Sequence, residues 1–294
     1  MERLKGMLYG SFIGDAFALG SHWIYDTEKL KIEVDNLSDF TEPIHSVFHS
    51  GKKKGAFTHY GDQSLLLLKS IASNKGFDIQ IFKTHWLTFA SKYDGYLDHA
   101  TKASLQALDP LNNFGSSSDE LGGVSRMAPL LFYHMDDLNL NKFVSEQTQL
   151  THNDLGLVEI GFFIKDWILD LIIGKPLMSS FEAECINHPK IMPYWDMIKH
   201  RFNEDTVDVI KDIGQSCSCQ FAFPSALYLI IKYKDNFLKA MQENILSGGD
   251  SAGRGMLIGM VLGASLGIHQ IPQNLLDHLI DRSTIENFAM HKQI

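Results

Sequence analysis

The sequence predicts an all-α fold. Three observations carry that prediction. Apolar residues recur at steps of three and four through most of the 294 residues, alternating strand patterns are nearly absent, and glycines fall at steps of four in two apolar segments. The first pattern is clearest at Ile160, Phe163, Ile164, Trp167, Ile168, Leu171 and Ile172, which form a wide apolar stripe on one helix. The same spacing predicts helices over Glu2 to Ala18, Ser64 to Ser73, Ile79 to Phe89, His99 to Ala107 and Asp137 to Gln149. It predicts three more over Phe221 to Lys232, Asn236 to Leu246 and Ser251 to Gly267. The glycine stripes are Gly6, Gly10 and Gly14, continued by Ala18, and Gly255, Gly259, Gly263 and Gly267. Glycine in a helix interior costs about 1 kcal/mol relative to alanine. Such stripes therefore imply that another backbone comes close, and the two striped helices are expected to be central and to touch.

Composition narrows the function classes. With 45% hydrophobic and 21% charged residues the chain is of ordinary globular type, and it is expected to form one domain over 1–294. A net charge of -9 speaks against a nucleic-acid grip, which needs clustered Lys and Arg. The most apolar run, Gly255 to Ile268, is too short to span a bilayer, so no membrane association is expected. Cys185, Cys217 and Cys219 are too few and wrongly spaced for a disulfide framework or zinc knuckle, and the start Met-Glu-Arg-Leu-Lys does not read as a secretory signal. A cytoplasmic setting is the expectation.

Three acids stand beside glycine. Asp15 lies in Gly10-Ser11-Phe12-Ile13-Gly14-Asp15-Ala16, Asp62 in Tyr60-Gly61-Asp62-Gln63-Ser64, and Asp250 in Gly248-Gly249-Asp250-Ser251-Ala252-Gly253-Arg254. Asp62 and Asp250 occupy positions where a helix N-cap belongs. Asp15, on an apolar helix, requires a partner. Two loops stand out: Pro43 to Gly61, with His45, His49, His59 and the triplet Lys52, Lys53, Lys54, and the Ser-, Asp- and Gly-rich Asn113 to Gly123. The triplet reads as a solvated loop more readily than as a phosphate contact.

These motifs, with Gly122 to Leu130 (Gly-Gly-Val-Ser-Arg-Met-Ala-Pro-Leu) and Thr151-His152-Asn153, stand in the order of the ADP-ribosylglycohydrolase family, which the chain resembles over nearly its whole length. That family also includes the J1 crystallins. The resemblance implies an all-helical bundle and a hydrolase of a glycosidic bond to small-molecule or protein-linked ADP-ribose or a related nucleotide sugar, with no organic cofactor. Active members resemble one another in holding two magnesium or manganese ions with carboxylates and Thr hydroxyls. Here Tyr60, Gly61, Asp62 and Gln63 stand where Thr-Asp-Asp-Thr is expected, His22 stands where a Glu is expected, and Ala252 and Gly253 replace an Asp and a Thr. What the resemblance leaves is at most one Mg or Mn ion at Asp62, Asp250 and Ser251. It implies Asp15, His22, Asp62 and Asp250 for catalysis, and Gly122, Gly123, Val124, Ser125, Arg126 and His152 for the substrate. Arg126 either meets a phosphate or pairs with Glu120 or Asp119. His22 is an acid or base, or packs beside Trp23 and Tyr25. Tyr93, Tyr96 and Asp98 line the cleft or pack a helix junction. The alternative to a hydrolase is a non-catalytic ADP-ribose binder or a crystallin-like structural protein.

Overall fold

The computed structural model describes residues 1–33, 37–43 and 48–290; His45 of the histidine-bearing loop lies outside them. Among the described residues there is no sheet, only isolated bridges. In chain order the helices are α1 (Glu2–Ala18), α2 (Thr27–Glu33), α3 (His59–Asn74), α4 (Ile79–Lys92), α5 (His99–Ala107), α6 (Gly122–Ser125), α7 (Ala128–His134) and α8 (Leu140–Gln149). Then come α9 (Leu155–Ile172), α10 (Leu177–Asn187), α11 (Met192–Ile198), α12 (Thr206–Ile213), α13 (Cys219–Lys232) and α14 (Phe237–Leu246). The series closes with α15 (Ser251–Leu266), α16 (Gln273–His278) and α17 (Arg282–Met290). The long helices match the periodicity. Not foreseen are α2, α6, α7, α10 to α12, α16 and α17, short pieces in segments punctuated by prolines such as Pro129, Pro176, Pro189, Pro193 and Pro272.

The axis of the bundle is the antiparallel pair α1 and α15. A Cβ added to Gly6 would lie 2.2 Å from the Gly263 carbonyl oxygen, one on Gly10 2.1 Å from that of Gly259, and one on Gly14 2.0 Å from that of Gly255. The stripes face each other backbone to backbone, as their spacing implied. α1 is buried continuously from Gly6 to Ala18 and α15 from Ser251 to Ala264, so the other helices wrap a core of two bare backbones. Arg3 ties the pair at one end by donating to the Ala264 and Ser265 carbonyls, which α15 leaves open at its C-terminus. α9, α13 and α14 pack on α15, while α3 and α7 pack on α1. The candidate chemistry sits at the other end, where α1 finishes and α15 begins.

α3 begins earlier than the sequence suggested. Its N-cap is Thr58, whose hydroxyl accepts from the Tyr60 N–H, so Asp62 lies inside the first turn and does not cap it. Asp250 does cap α15, accepting from the Gly253 N–H at 3.4 Å.

Candidate active site

Gly248 and Gly249 precede α15 with φ of +68° and +70°, a left-handed conformation that other residues adopt only with strain. The Gly249 N–H donates to the Ile24 carbonyl at 2.8 Å and the Trp23 N–H donates to the Gly249 carbonyl at 2.9 Å. This two-way link carries the segment after α1 up to the start of α15. It also holds Trp23 itself at φ +64°, a conformation that costs a bulky residue about 1–3 kcal/mol and persists only when its surroundings enforce it. The result is His22 placed beside Asp250, with Nδ1 3.6 Å from Oδ1 and 3.3 Å from the Ala252 N–H.

His22 belongs to a buried histidine cluster. The rings of His22, His49 and His59 lie 5.5 to 6.0 Å apart, and one nitrogen of each falls within 4.8 Å of the other two. His59 Nε2 sits 3.0 Å from Asp98 Oδ2, and Asp98 Oδ1 caps α5 by accepting from the Thr101 N–H at 2.6 Å. The Tyr60 ring packs 3.9 Å from His59. Above the cluster Trp23, Phe48 and Tyr96 form a triangle of edge-on rings 4.9 to 5.2 Å apart, and Phe48 reaches the surface at 37% exposure.

The surrounding carboxyls sit in contrasting environments. Burial raises Asp15 to about 6, opposed by its bonds from the Thr58 hydroxyl at 2.5 Å and the Thr58 N–H at 2.7 Å. Those bonds supply the partner Asp15 required and fix the turn into α3. Burial also raises Glu120 to about 7, assisted by the charges of Asp98 and Asp250. Asp98 goes the other way. Burial alone would raise it, but the His59 charge and hydrogen bonds from His59 and Thr101 hold it well below the usual carboxylate range. Asp250, fully buried, is raised by desolvation against the attraction of Arg254. Burial, with the charges of neighbouring His49, His59 and Arg254, keeps His22 neutral far below its ordinary value. Asp62 lies on the outer side of Gly61, where its Oδ2 takes Lys52 Nζ and Tyr93 Oη, each at 2.5 Å. Lys52 is therefore no solvated loop residue: it also donates to the Phe57 carbonyl at 2.7 Å, while Lys53 and Lys54 are exposed.

The Gly-rich segment assigned to the substrate is packed within the fold. Residues Gly122, Gly123, Val124 and Ser125 form the single turn α6, in which the Gly123 N–H bonds the Glu120 carbonyl and the Val124 and Ser125 N–H groups bond that of Leu121. Its glycines answer to packing. A Cβ on Gly122 would sit 2.3 Å from the Tyr60 ring and one on Gly123 2.7 Å from the His152 ring. Ser125 Oγ donates to the Gly253 carbonyl at 2.8 Å, joining α6 to α15. Arg126 pairs with neither Glu120 nor Asp119. It is buried and donates to Gln63 Oε1, Gln147 Oε1, the Gln147 carbonyl and Thr151 Oγ1 at 2.6 to 3.1 Å. His152 Nδ1 meets Thr151 Oγ1 at 2.8 Å, and its Nε2 has no hydrogen-bond partner. Glu120 reaches the cluster because its loop is pinned to the segment before α13, by Leu121 N–H to the Cys217 carbonyl and Cys219 N–H to the Asp119 carbonyl, both at 2.9 Å.

His22, Asp250 and Ser251 thus meet at one buried focus, with Asp15 and Asp62 flanking Gly61 beside it and within electrostatic reach of each other. The residues sequence reasoning missed as a group are His49, His59, Asp98 and Glu120. His49 and His59 share the segment Pro43 to Gly61, but Asp98 and Glu120 come from elsewhere, and no local spacing announces the convergence of the four. A groove of about 850 Å³ lies at the opposite end of α1, lined by Tyr9, Phe132, Ile271 and Leu276 among others, and holds no comparable cluster.

A helical bundle threaded on two glycine-striped helices, with a polar focus at one end, is the architecture that comparison with known proteins assigns to a family. The family described as ADP-ribosylglycohydrolase matches residues 1–293, and the chain belongs to that family. Crystallins J1A and J1B of Tripedalia cystophora are each 21% identical to it, over 98% of this chain and 95% of theirs. A solved structure titled ADP-ribosylglycohydrolase-related protein complex shares the fold at a TM-score of 0.72 and 18% identity, covering 99% of this chain and 96% of that one. No described helix is long and apolar enough to cross a membrane.

The residues present do not fit a pair of hard divalent cations. Of the three segments that hold metal in active members, two keep one carboxylate each and the third has His22 in place of Glu, and the carboxylate of Asp62 already has the Lys52 ammonium against it. Asp250 Oδ2 and Ser251 Oγ are buried without hydrogen-bond partners, and they are the only two donors of the expected oxygen set in that state among the described residues.

Proposed function

We propose that this protein hydrolyses a glycosidic bond to ADP-ribose or a related nucleotide sugar, using carboxyl groups of the buried focus. The observation that carries this reading is the contrast between Glu120, raised to about 7, and Asp98, held low, within one cluster. Carboxyls whose environments drive them apart are how one site holds an acid and a base together at neutral pH. Glu120 donates its proton to the leaving atom as the bond from the anomeric carbon to that atom breaks. Water adds to the anomeric carbon and gives its proton to Asp98, the carboxyl held in its ionised form, while Asp250 and the neutral His22 beside it orient that water. Asp15 positions the turn into α3, and Asp62 positions Lys52 and Tyr93 at the cleft edge. The turn of Gly122, Gly123, Val124 and Ser125, with Arg126 behind it, seats the Tyr60 and His152 rings, the free Nε2 of His152 faces the substrate, and Trp23, Phe48 and Tyr96 offer rings for a nucleobase. The single Mg or Mn ion expected at Asp62, Asp250 and Ser251 is supported only by the two unpartnered oxygens, and no step depends on it.

The crystallin relatives favour a second reading, a non-catalytic binder or structural protein. Calorimetric titration with ADP-ribose, paired with product detection from ADP-ribosylated peptides and small molecules, separates the two. Saturable binding with turnover supports the hydrolase. Binding without turnover supports the binder, and neither supports the structural protein.

A further inference from the structure

We infer that His22, His49 and His59 form a binding site for one borderline divalent transition metal ion, best matched by Zn²⁺, with Asp98 and Asp250 as its outer partners. The three rings are buried, come from the turn after α1, the 48–55 loop and the first residue of α3, and bring a nitrogen apiece within 4.8 Å of one another. Around a tetrahedral ion with Zn–N distances of about 2.0–2.1 Å, nitrogens stand roughly 3.3 Å apart, so the rings need only draw inward. His22 Nε2 and both nitrogens of His49 are buried without hydrogen-bond partners, a state that native interiors rarely leave unanswered.

The second observation is the outer shell. Ligating histidines characteristically present their other ring nitrogen to a carboxylate. Here His59 Nε2 lies 3.0 Å from Asp98, and His22 Nδ1 lies 3.6 Å from Asp250. His59 therefore turns one edge to an acid, and His22 has the Asp250 carboxylate beside the nitrogen that accepts from the Ala252 N–H. Imidazole donors suit Zn²⁺ and its neighbours and suit Mg²⁺ poorly, so the donor set differs in kind from the oxygen cage that the family resemblance implies. Three ligands leave a tetrahedral ion one open position, as in catalytic zinc sites. A second cluster, Asp166, Glu184 and His188, is already explained by ion pairs: His188 Nε2 is 3.1 Å from Asp166 and Nδ1 is 3.2 Å from Glu159.

The test is titration of the full chain, stripped with chelator and free of nucleotide, with Zn²⁺, Co²⁺ and Mg²⁺. One equivalent of Zn²⁺ or Co²⁺ is expected to bind, with excess Mg²⁺ failing to compete and the Co²⁺ form showing the visible bands of four-coordinate cobalt. His49→Ala is expected to weaken binding by more than about 100-fold, and Asp98→Asn and Asp250→Asn by about 10- to 100-fold. His188→Ala is expected to leave it unchanged. Where a histidine variant fails to fold, the Co²⁺ spectrum of the wild-type chain and the Asp98→Asn affinity decide. Absence of saturable Zn²⁺ binding, loss of binding in His188→Ala, or full affinity in a folded His49→Ala variant would overturn the site. Because no nucleotide is present, that failure leaves the glycosidase reading standing.

Discussion

Gly259→Ala places the architecture under direct strain. By helix propensity alone the substitution is favourable by about 0.8–1.0 kcal/mol. The structure reverses the sign. The new Cβ would lie 1.9 Å from the Gly10 carbonyl oxygen and 2.5 Å from its carbon, and both atoms are main chain, so no side-chain rotation relieves the clash. Restoring ordinary contact near 3.4 Å moves the helix axes apart by about 1.5 Å, which also opens the Gly6–Gly263 and Gly14–Gly255 approaches. Overpacking costs about 1–3 kcal/mol where side chains can yield, and the upper end or beyond is expected where they cannot. Set against the propensity gain, the net loss is about 2–4 kcal/mol, or roughly 3–7 °C in melting temperature for a chain of 294 residues. Thermal and urea unfolding followed by circular dichroism measure it. Gly156→Ala serves as the contrast, since that residue is exposed and its Cβ would meet only Asp154 Oδ1, at 3.1 Å; it is expected within about 1 kcal/mol of wild type. A Gly259→Ala chain as stable as wild type would refute the backbone-to-backbone packing of α1 and α15.

Three further outcomes are expected. Asp15 is raised from 3.8 to about 6 in the folded chain, so its contribution to stability is full below about pH 4 and is lost as pH rises through about 6. Asp15→Asn, which can keep both bonds to Thr58, is expected to stabilise the protein at pH 8 by up to about 3 kcal/mol and to differ little from wild type at pH 4, as melts at the two pH values will show. Arg126→Lys cannot serve Gln63, Gln147 and Thr151 together; a loss of about 2–4 kcal/mol is expected, with nucleotide affinity per folded molecule unchanged, and a selective loss of affinity at wild-type stability would restore Arg126 as a phosphate contact. Glu120 is the acid in its protonated form, so kcat/KM is expected to decline as pH rises above about 7, and a profile flat to pH 9 would count against it.

The glycine stripes made the central pair legible in the sequence because a period of four is a local signal with one physical meaning in a helix. Asp250 was legible as a cap for the same reason. The start of α3 was not: the cap is Thr58, and the Gly-Asp-Gln-Ser motif that looked like a helix start lies within its first turns. The Gly-Gly of α6 suggests from sequence alone a backbone bared for a ligand, whereas the space belongs to the Tyr60 and His152 rings, a demand made by residues far away in sequence. The histidine and carboxyl focus was legible only in part. His22 and Asp250 stood in motifs, but His49, His59, Asp98 and Glu120 acquire their environments from tertiary contacts, and burial is what sets Glu120 and Asp98 apart.

The most direct measurement of the central claim is the rate of ADP-ribose release from ADP-ribosylated peptides by the wild-type chain and by Glu120→Gln, across pH 5 to 9. The account predicts turnover that declines above about pH 7 in the wild type, and a fall of about 10²- to 10⁴-fold in Glu120→Gln with that decline abolished. Equal rates in the two proteins, or no release by the wild type from any ADP-ribosylated substrate that it binds, would contradict it.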